Sequence, residues 1–331
     1  MKIGLVGIGS MGHAHAAAWR ALGADVAGVS ARDPVLTREF AGRFGLNVFE
    51  SYAELLDSVD IVDLCIPTDL HRAFTEQAAA AGKHVICEKP IALTLEDGQA
   101  MIEACERAGV RLFIAQVLRF FPQYRAAREL LNRGALGDLG VVTLRRVSSV
   151  PMGGKSWFTD EARSGGLLFD LMIHDLDYAR WLGGPVERVY ARSLKGQDAG
   201  AQSDYAQITL RFVSGALALI EGGWVMPPGG FRTAIDIAGT DGLIEWNSDS
   251  GGAVREFLHT NVDQSADAVG LPSLAFDHDP FEVELGHALN AIRNGRPFDV
   301  TPLEALQALD LAVAARRSLH SGSPATPQVQ A

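Results

Sequence analysis

Cysteine is scarce in this sequence, and its few copies form no pattern that predicts a disulfide framework or a zinc site. The 331 residues contain only Cys65, Cys87 and Cys105. Their number is odd, and no two of them form the C-x-x-C spacing that is typical of paired zinc ligands. The pattern favours a reducing compartment, and we expect a cytoplasmic protein.

Long apolar runs are missing as well. No stretch of about 18 uninterrupted apolar residues occurs, so no membrane-spanning helix is predicted. The apolar start at residues 3–6 leads directly into a glycine-rich segment rather than to a cleavage site, which argues against a signal peptide. We expect a soluble protein with no membrane partner.

Positive charge is in deficit. Lys and Arg total 29 against 40 Asp and Glu, and the formal net charge is -11. The nearest approach to a basic cluster is Arg145-Arg146, which we interpret as one inward and one outward position on a strand. Because nucleic-acid binding needs a concentrated basic surface, no nucleic-acid partner is predicted.

The composition that is present is ordinary for a globular protein, with 47% hydrophobic and 21% charged residues. The length exceeds one typical domain and predicts two. We expect a first domain over residues 1–120, a second over 121–322, and a flexible tail over 323–331, because the last residues are small, polar and proline-bearing.

The first half alternates short apolar runs with helix-compatible segments. The runs predict strands buried on both faces, at residues 3–6, 26–29, 61–66, 84–87 and 111–115. Helices are predicted between and after them, at residues 13–22, 35–44, 52–57, 70–81 and 95–108. This α/β alternation predicts a parallel sheet, which binds ligands at the carboxyl ends of its strands.

A G-x-G-x-x-G turn follows the first strand. Gly7 permits the turn, Gly9 allows close approach of a pyrophosphate, and Gly12 allows close packing of helix and strand. The amides of Ser10 and Met11 at the helix start would face the phosphates. A purely structural turn is the alternative, but the strand before it and the helix after it favour a dinucleotide site.

The second strand runs into Ser30 and a short polar loop. An NAD site would place a carboxylate on the ribose 2′-hydroxyl about 20 residues after the last glycine. Ala31 aligns with that acid, while Ser30 can donate a hydrogen bond and Arg32 can supply charge, which favours NADP over NAD. In the alternative, Asp33 reaches the ribose and Arg32 is a solvated surface residue.

The third and fourth strands also end in polar residues. Pro67, Thr68 and His71 follow the third strand as candidate cofactor contacts, although Thr68 could equally cap a helix and His71 could be a surface histidine. Glu88 and Lys89 follow the fourth strand, where charges are costly unless used or paired. Lys89 could stabilise a developing alkoxide, with Glu88 contacting the cofactor. A simple Glu88–Lys89 pair capping the sheet is the alternative, and spacing does not decide.

The second half changes pattern. Several strand-like runs alternate polar with apolar residues, which predicts a sheet with two unlike faces, and they lie at residues 141–150, 186–193, 206–212, 216–222, 232–237 and 243–246. Helices on one face would leave the other free for a partner subunit, so we expect a homo-oligomer. Apolar stripes at residues 281–292 and 302–319 predict two closing helices that belong to the core.

One helix, over residues 166–182, is predicted to interrupt these strands. On it Asp170, His174 and Asp177 share a face. A histidine backed by a carboxylate can be held in one tautomer and exchange a hydroxyl proton. The alternative is acids favoured by the helix dipole beside a surface histidine. Asp175 is expected to cap or orient.

A metal site is a rival interpretation of the histidines. His13 with His15, or Asp170 with His174, could supply two ligands. Neither pair has a convincing third ligand in the sequence, and hydride transfer requires no metal. We therefore predict no metal.

Taken together, the glycine turn, the triplet Glu88-Lys89-Pro90 and the segment Gly165-Gly166…Asp170…His174 resemble the Gfo/Idh/MocA oxidoreductases. Arg119-Phe120 and Pro122 extend the resemblance over nearly the whole chain. The resemblance implies an N-terminal Rossmann domain and a C-terminal α+β domain with a large, mostly antiparallel open sheet that often mediates dimers or tetramers.

The same resemblance implies a function. It implies NAD(P)-dependent oxidation or reduction of a sugar, cyclitol or related polyol. Lys89 would lie near nicotinamide and substrate, His174 would be the acid or base, and Asp170 its carboxylate partner. Two positions depart from the family: Ala31 replaces a common acid, and Met172 replaces a common glycine, which predicts a narrower or differently shaped pocket.

Two other functions are compatible with this fold. A dinucleotide-binding sensor or regulatory protein would bind the cofactor without turnover, although such a protein needs neither Lys89 nor His174. A glycosidase could use a transient redox step on tightly held NAD. Net consumption of the reduced cofactor would distinguish a dehydrogenase from that case.

Overall fold

The computed structural model describes residues 1–151, 157–194, 204–227, 229–250, 255–258 and 279–329. The chain divides into two compact units. Unit 1 comprises Met1–Val117, Met152–Gly165 and His278–Leu309, and unit 2 comprises Leu118–Pro151, Gly166–Asp277 and Asp310–Ala331. Each unit combines segments that are distant in sequence, so no single boundary along the chain separates the two units.

Unit 1 contains a six-stranded sheet whose strands are all parallel, in the order β3-β2-β1-β4-β5-β6. The strands are β1 (Ile3–Val6), β2 (Val26–Ser30), β3 (Asn47–Val48), β4 (Ile61–Leu64), β5 (His84–Glu88) and β6 (Leu112–Ala115). The predicted Rossmann sheet is confirmed. The short strand β3 was not predicted, because only two residues pair and they carry no apolar run.

The helices α1 to α5 follow the predicted alternation. They are α1 (Ser10–Ala21), α2 (Pro34–Phe44), α3 (Tyr52–Ser58), α4 (His71–Ala80) and α5 (Leu95–Ala108). From β1 the chain first adds β2 and β3 on one side and then β4, β5 and β6 on the other. The carboxyl ends of the neighbours β1 and β4 therefore flank the crevice in which such sheets bind ligands.

Unit 2 is built on a seven-stranded sheet in the order β13-β12-β11-β7-β10-β9-β8, parallel only between β7 and β10. The mostly antiparallel sheet implied by the family resemblance is thus confirmed. The helices of the second half are α6 (Pro122–Asn132), α7 (Glu161–Ser164), α8 (Leu167–Asp170), α9 (Ile173–Gly183), α10 (Pro280–Asn294) and α11 (Pro302–Ser321). Of these, α7, α10 and the part of α11 up to Leu309 belong to unit 1. The strands are β7 (Leu139–Ser148), β8 (Val186–Leu194), β9 (Tyr205–Phe212), β10 (Leu217–Trp224), β11 (Phe231–Gly239), β12 (Gly242–Asn247) and β13 (Arg255–Leu258).

The strand β7 shows the predicted alternation of faces. The side chain of Arg145 is 54% exposed and lies 3.7 Å from Glu221, whereas that of Arg146 is 5% exposed. The interpretation of this pair as one outward and one inward arginine is confirmed. The basic dipeptide is therefore part of the architecture of the sheet and forms no basic surface.

The segment after α11, predicted as a flexible tail, makes specific bonds in its described part. Ala325 and Val189 of β8 exchange backbone hydrogen bonds of 2.8 Å. The carboxylate of Asp310 accepts hydrogen bonds from the amides of Gln328 and Val329. Small, polar composition does not reveal such partners, because they come from elements far away in sequence. Among the described residues, every helix is too short or too polar to cross a lipid bilayer.

Candidate active site

The glycine turn of unit 1 has the geometry that its sequence predicts. Gly7 has a φ of +101°, and a Cβ there would overlap the carbonyl of Cys65. A Cβ at Gly12 would overlap the carbonyl of Gly7, so helix α1 packs against the turn only because this residue is glycine. These two glycines are required by the fold itself, whatever the turn binds.

Gly9 differs from its neighbours in this respect. A Cβ at Gly9 would meet nothing within 4 Å, so the space in front of it is open. Among the described residues no side chain caps α1, and its first turn contains no acidic residue. The first amides of α1, those of Ser10 and Met11, thus have no side-chain cap in the described part of the chain and lie at the positive end of the helix dipole. This arrangement fits the pyrophosphate of a dinucleotide.

The loop after β2 clarifies one predicted alternative. Ser30 is buried at the end of the strand, and its carbonyl accepts a 3.0 Å hydrogen bond from the amide of Gly7. Asp33 caps α2, because its carboxylate accepts the amides of Val35 and Leu36 at 3.0 and 3.1 Å. That use disfavours the interpretation in which Asp33 binds the ribose, and it leaves Arg32 exposed beside the strand end.

The residues after β4 are placed differently from either prediction for His71. Its ring is fully buried, with Nδ1 2.9 Å from the carbonyl oxygen of Pro90 and Nε2 3.1 Å from that of Ile66. Burial lowers its pKa, although the backbone bonds oppose the shift. His71 thus lies between the segments after β4 and β5 and is no surface histidine, and its neutral ring donates one hydrogen bond, to one of these two carbonyl oxygens. Thr68 is also buried, while Pro67 beside it is half-buried.

Glu88 ends β5 and is bonded on both of its oxygens. Its Oε1 lies 3.0 Å from Nε2 of His15, and its Oε2 accepts the amide of Lys89 at 3.1 Å. Only 6% of Glu88 is exposed, whereas Lys89 is half-buried. The Glu88 carboxylate, predicted to contact the cofactor, thus has a partner on each oxygen within unit 1. The role predicted for Lys89 stays a prediction.

Behind Glu88 lies a buried polar cluster that the sequence argument missed. Nδ1 of His15 is 3.0 Å from both oxygens of Asp63, and the indole of Trp19 donates to Asp63 over 2.7 Å. The thiol of Cys65 lies 3.8 Å from the same carboxylate. The signal that could have revealed the cluster is Asp63 itself, an acid in the middle of an otherwise apolar buried strand.

The same cluster corrects the argument about metal ligands. The sequence argument considered His15 only together with His13, whereas ligand atoms of His15, Asp63 and Cys65 lie within 4.8 Å of one another. However, burial, followed by the charge of Asp63, raises the pKa of the Cys65 thiol. In the structure the thiol is in its protonated form and these side chains bond to one another.

The charges in this cluster are coupled. Burial lowers the pKa of His15. The charge of Asp63 and its hydrogen bond to the ring act in the opposite direction, and the net result is a pKa well above its usual value. Glu284 of α10 is fully buried, and neither oxygen has a hydrogen-bond partner among the described residues. Burial, then the charge of Glu88, raises its pKa well above 4.5. The surrounding carboxylates thus favour the protonated forms of both His15 and Glu284.

In unit 2 the single helix predicted over residues 166–182 is in fact two. Helix α8 ends at Asp170 and α9 begins at Ile173. The amide of Met172 bonds to the carbonyl of Leu167 over 3.0 Å, one residue longer than the α-helical pattern, so the chain is displaced between the helices. Asp170 and His174 therefore lie on different helices, and the four-residue spacing is not that of one helix face.

The other acids of α9 are bound to arginines. Asp177 makes a two-pronged ion pair with Arg119, with distances of 2.7 and 2.6 Å and both side chains 1% exposed. Asp175 pairs with Arg146 of β7 at 2.7 and 3.1 Å. Asp177 and Asp175 thus each have a buried arginine as partner. His174, half-buried, directly precedes Asp175.

The side chain of Met172 is fully buried, and a Cβ at Gly222 of β10 would lie 2.5 Å from its Cγ. Met172 therefore packs onto the sheet where β10 has no side chain and fills the core of unit 2. Its predicted effect, a narrower or differently shaped pocket, stays a prediction.

A parallel sheet with an open glycine turn and a lysine at the end of β5 defines an oxidoreductase of the NAD-binding Rossmann class. Comparison with known proteins specifies it further. Residues 1–116 match the profile of the "Oxidoreductase family, NAD-binding Rossmann fold", and residues 124–245 match the "GFO/IDH/MocA C-terminal domain". The chain belongs to the Gfo/Idh/MocA oxidoreductases.

Its relatives cover almost its whole length. A D-apiose dehydrogenase of Paraburkholderia graminis is 30% identical, over 97% of this chain and 88% of the relative. A myo-inositol 2-dehydrogenase of Thermotoga maritima is 31% identical, over 96% of each. The crystal structure of GenD2 from gentamicin A biosynthesis, in complex with NAD, is 27% identical with a TM-score of 0.85, covering 99% of this chain and 96% of that one.

We expect Asp177→Ala to destabilise the protein strongly. The change removes the bidentate partner of a buried arginine, and loss of one member of such a pair costs about 3–5 kcal/mol. The matched control is Glu187→Ala, which breaks an exposed pair with Arg211 at 3.3 Å and should cost about 0–1 kcal/mol. Urea denaturation measures both. Equal losses would contradict the assigned role of the Arg119–Asp177 pair.

We expect Glu284→Gln to flatten the dependence of stability on pH. Because the folded-state pKa of Glu284 is raised, its contribution is complete below the unfolded value of 4.5 and is lost as pH rises toward the folded value. As pH rises, the free energy of unfolding of the variant should increase relative to that of the wild type by up to about 1.4 kcal/mol per pH unit. The exposed Glu39→Gln serves as control, and a constant difference across pH would refute the assignment.

Proposed function

We propose that this oxidoreductase transfers a hydride between nicotinamide and a hydroxyl or carbonyl carbon of a sugar, cyclitol or related polyol. The observation that carries the proposal is the carboxyl edge of the unit 1 sheet, where the open turn at Gly9 follows β1 and Lys89 follows β5. The names of the relatives, a D-apiose dehydrogenase and a myo-inositol 2-dehydrogenase, support a polyol as substrate.

The nicotinamide cofactor, when bound, accepts or supplies the hydride. The backbone at Gly9 and the amides of Ser10 and Met11 bind its pyrophosphate in this proposal, with Pro67 and Thr68 as further contacts after β4. Lys89 donates a hydrogen bond to the substrate oxygen and stabilises the charge that develops there. His174 exchanges the hydroxyl proton, and Asp170 orients or relays.

Cofactor preference is proposed from the loop after β2. Asp33 is engaged as a helix cap, and Ala31 offers no carboxylate to repel a 2′-phosphate. Ser30 and the exposed Arg32 therefore favour NADP in addition to the NAD binding that defines the domain.

The sheet of unit 2 is proposed to mediate a homodimer or homotetramer. Leu217 and Leu219 of β10 are 40% and 43% exposed and lie on one face of the strand. Apolar side chains grouped on a sheet face are typical of a subunit interface.

The roles of Lys89 and His174 can be tested together. Lys89→Ala and His174→Ala should each lower kcat by about 100-fold or more, the usual contribution of a positioned acid or base, with cofactor affinity largely unchanged. Turnover is followed by NADH absorbance with a panel of polyols and keto-sugars, and affinity by NADH fluorescence. Lys83→Ala, at the other end of β5, is the control. Near-normal turnover in both variants would defeat the proposal, as would NADH binding without any net turnover.

Cofactor preference is tested by titrating the cofactor-free protein with NADH and NADPH in parallel. Ala31→Asp should weaken NADPH binding by about tenfold, since one repulsive charge contact is worth about 1.4 kcal/mol, and leave NADH binding unchanged. Arg32→Ala should likewise weaken NADPH binding. If the wild type prefers NADH, or Ala31→Asp affects both cofactors equally, the loop assignment is wrong.

A further inference from the structure

A continuous line of hydrogen bonds in unit 1 connects helix α1 to the backbone of Lys89. It begins with the indole of Trp19 on Asp63 at 2.7 Å and continues from Asp63 to Nδ1 of His15 at 3.0 Å. Nε2 of His15 lies 3.0 Å from Oε1 of Glu88, and Oε2 of Glu88 accepts the amide of Lys89 at 3.1 Å. The line ends at the residue proposed to polarise the substrate.

The centre of this line is held from both sides. A histidine whose two nitrogens face two carboxylates donates from both only as an imidazolium. Asp63, Cys65 and Glu88 face it from β4 and β5, and Glu284 faces it from α10, together with the ring of Phe281 at a centroid distance of 6.0 Å. Because His15 and Asp63 are fully buried, water does not compete for these bonds, and they are charge-assisted.

The geometry makes Glu88 depend on His15. Glu88 is nearly buried at the last residue of β5 and pairs there with Ala115 of β6. A carboxylate in such a place needs a cation or several donors, and His15 supplies the charge. With one oxygen fixed by His15, the other oxygen is fixed on the amide of Lys89.

We propose that His15, oriented by Asp63, is a positioning residue that sets the place of Lys89 through the Glu88 carboxylate. The inference rests on the proposed function for its effect on turnover, but its structural part does not. His15 touches neither substrate nor cofactor in this proposal. Its loss should move the Lys89 backbone, and a displacement of about 1 Å at a reacting group can cost about 100-fold in rate.

Two substitutions separate the two bonds of His15. Glutamine places an amide nitrogen near the position of Nε2, so His15→Gln can donate to Glu88. Asparagine places its amide nitrogen near the position of Nδ1, so His15→Asn can donate to Asp63 but not reach Glu88. His15→Leu removes both bonds, and His84→Leu makes the same change at the opposite end of β5 as a control.

The experiment measures kcat and KM with the best polyol, NADH affinity by fluorescence, and the melting temperature. We expect His15→Leu and His15→Asn to lower kcat by about 100-fold with little change in NADH affinity, and His15→Gln to recover most of the loss. If Gln and Asn lose kcat equally, or if all losses follow the melting temperature, His15 is merely a core residue and the proposal fails.

A second measurement does not need turnover. The rate at which an amine-selective reagent labels Lys89, read by mass spectrometry against Lys2 and Lys83 in the same sample, reports the environment of its amine. We expect His15→Asn to change the Lys89 rate alone and His15→Gln to restore it. An unchanged Lys89 rate in His15→Asn overturns the positioning role. If the rate changes but the wild type oxidises or reduces no polyol, the proposed function fails while the positioning role stands.

Discussion

The contact between His15 and its two carboxylates is the constraint on which much of unit 1 depends. Asp63 lies in the middle of a strand whose other residues are apolar and buried, where a lone carboxylate would be strongly destabilising. The ring of His15 bonds to Asp63 and to Glu88, so one cation holds α1 against both β4 and β5. The glycine turn before α1 and Lys89 after β5 are therefore both held by the contacts of His15.

In unit 2, arginine side chains neutralise the buried carboxylates. Arg119 and Arg146 are buried and fix Asp177 and Asp175 on α9, and Arg146 also donates to the hydroxyl of Tyr124 over 3.2 Å. Guanidinium suits this task because its planar fork matches a carboxylate and keeps its charge when buried. A helix held at two points along its length gives His174 a fixed backbone, even though α9 begins after an irregular turn.

The sequence predicted well what depends on local pattern. Alternating strands and helices, the turn at Gly7, and the inward Arg146 all follow from periodicity and steric rules. It failed where distant segments meet: the partners of His15, Asp177 and His71 lie many residues away, and nothing local specifies them. It also failed at the break between α8 and α9, because residue spacing assumes a regular helix and a displaced turn leaves no sequence signal.

Helix α10 comes late in the chain but belongs to unit 1, where it packs on α1. Its Glu284 and Phe281 lie against the cluster around His15, so the polar centre of the nucleotide-binding unit is enclosed by residues far from it in sequence. The first 120 residues contain every strand of the Rossmann sheet, yet during synthesis they would leave one side of α1 in contact with water. The nucleotide-binding unit therefore depends on a contact between segments far apart in sequence, and such contacts cost loop-closure entropy before they stabilise a fold.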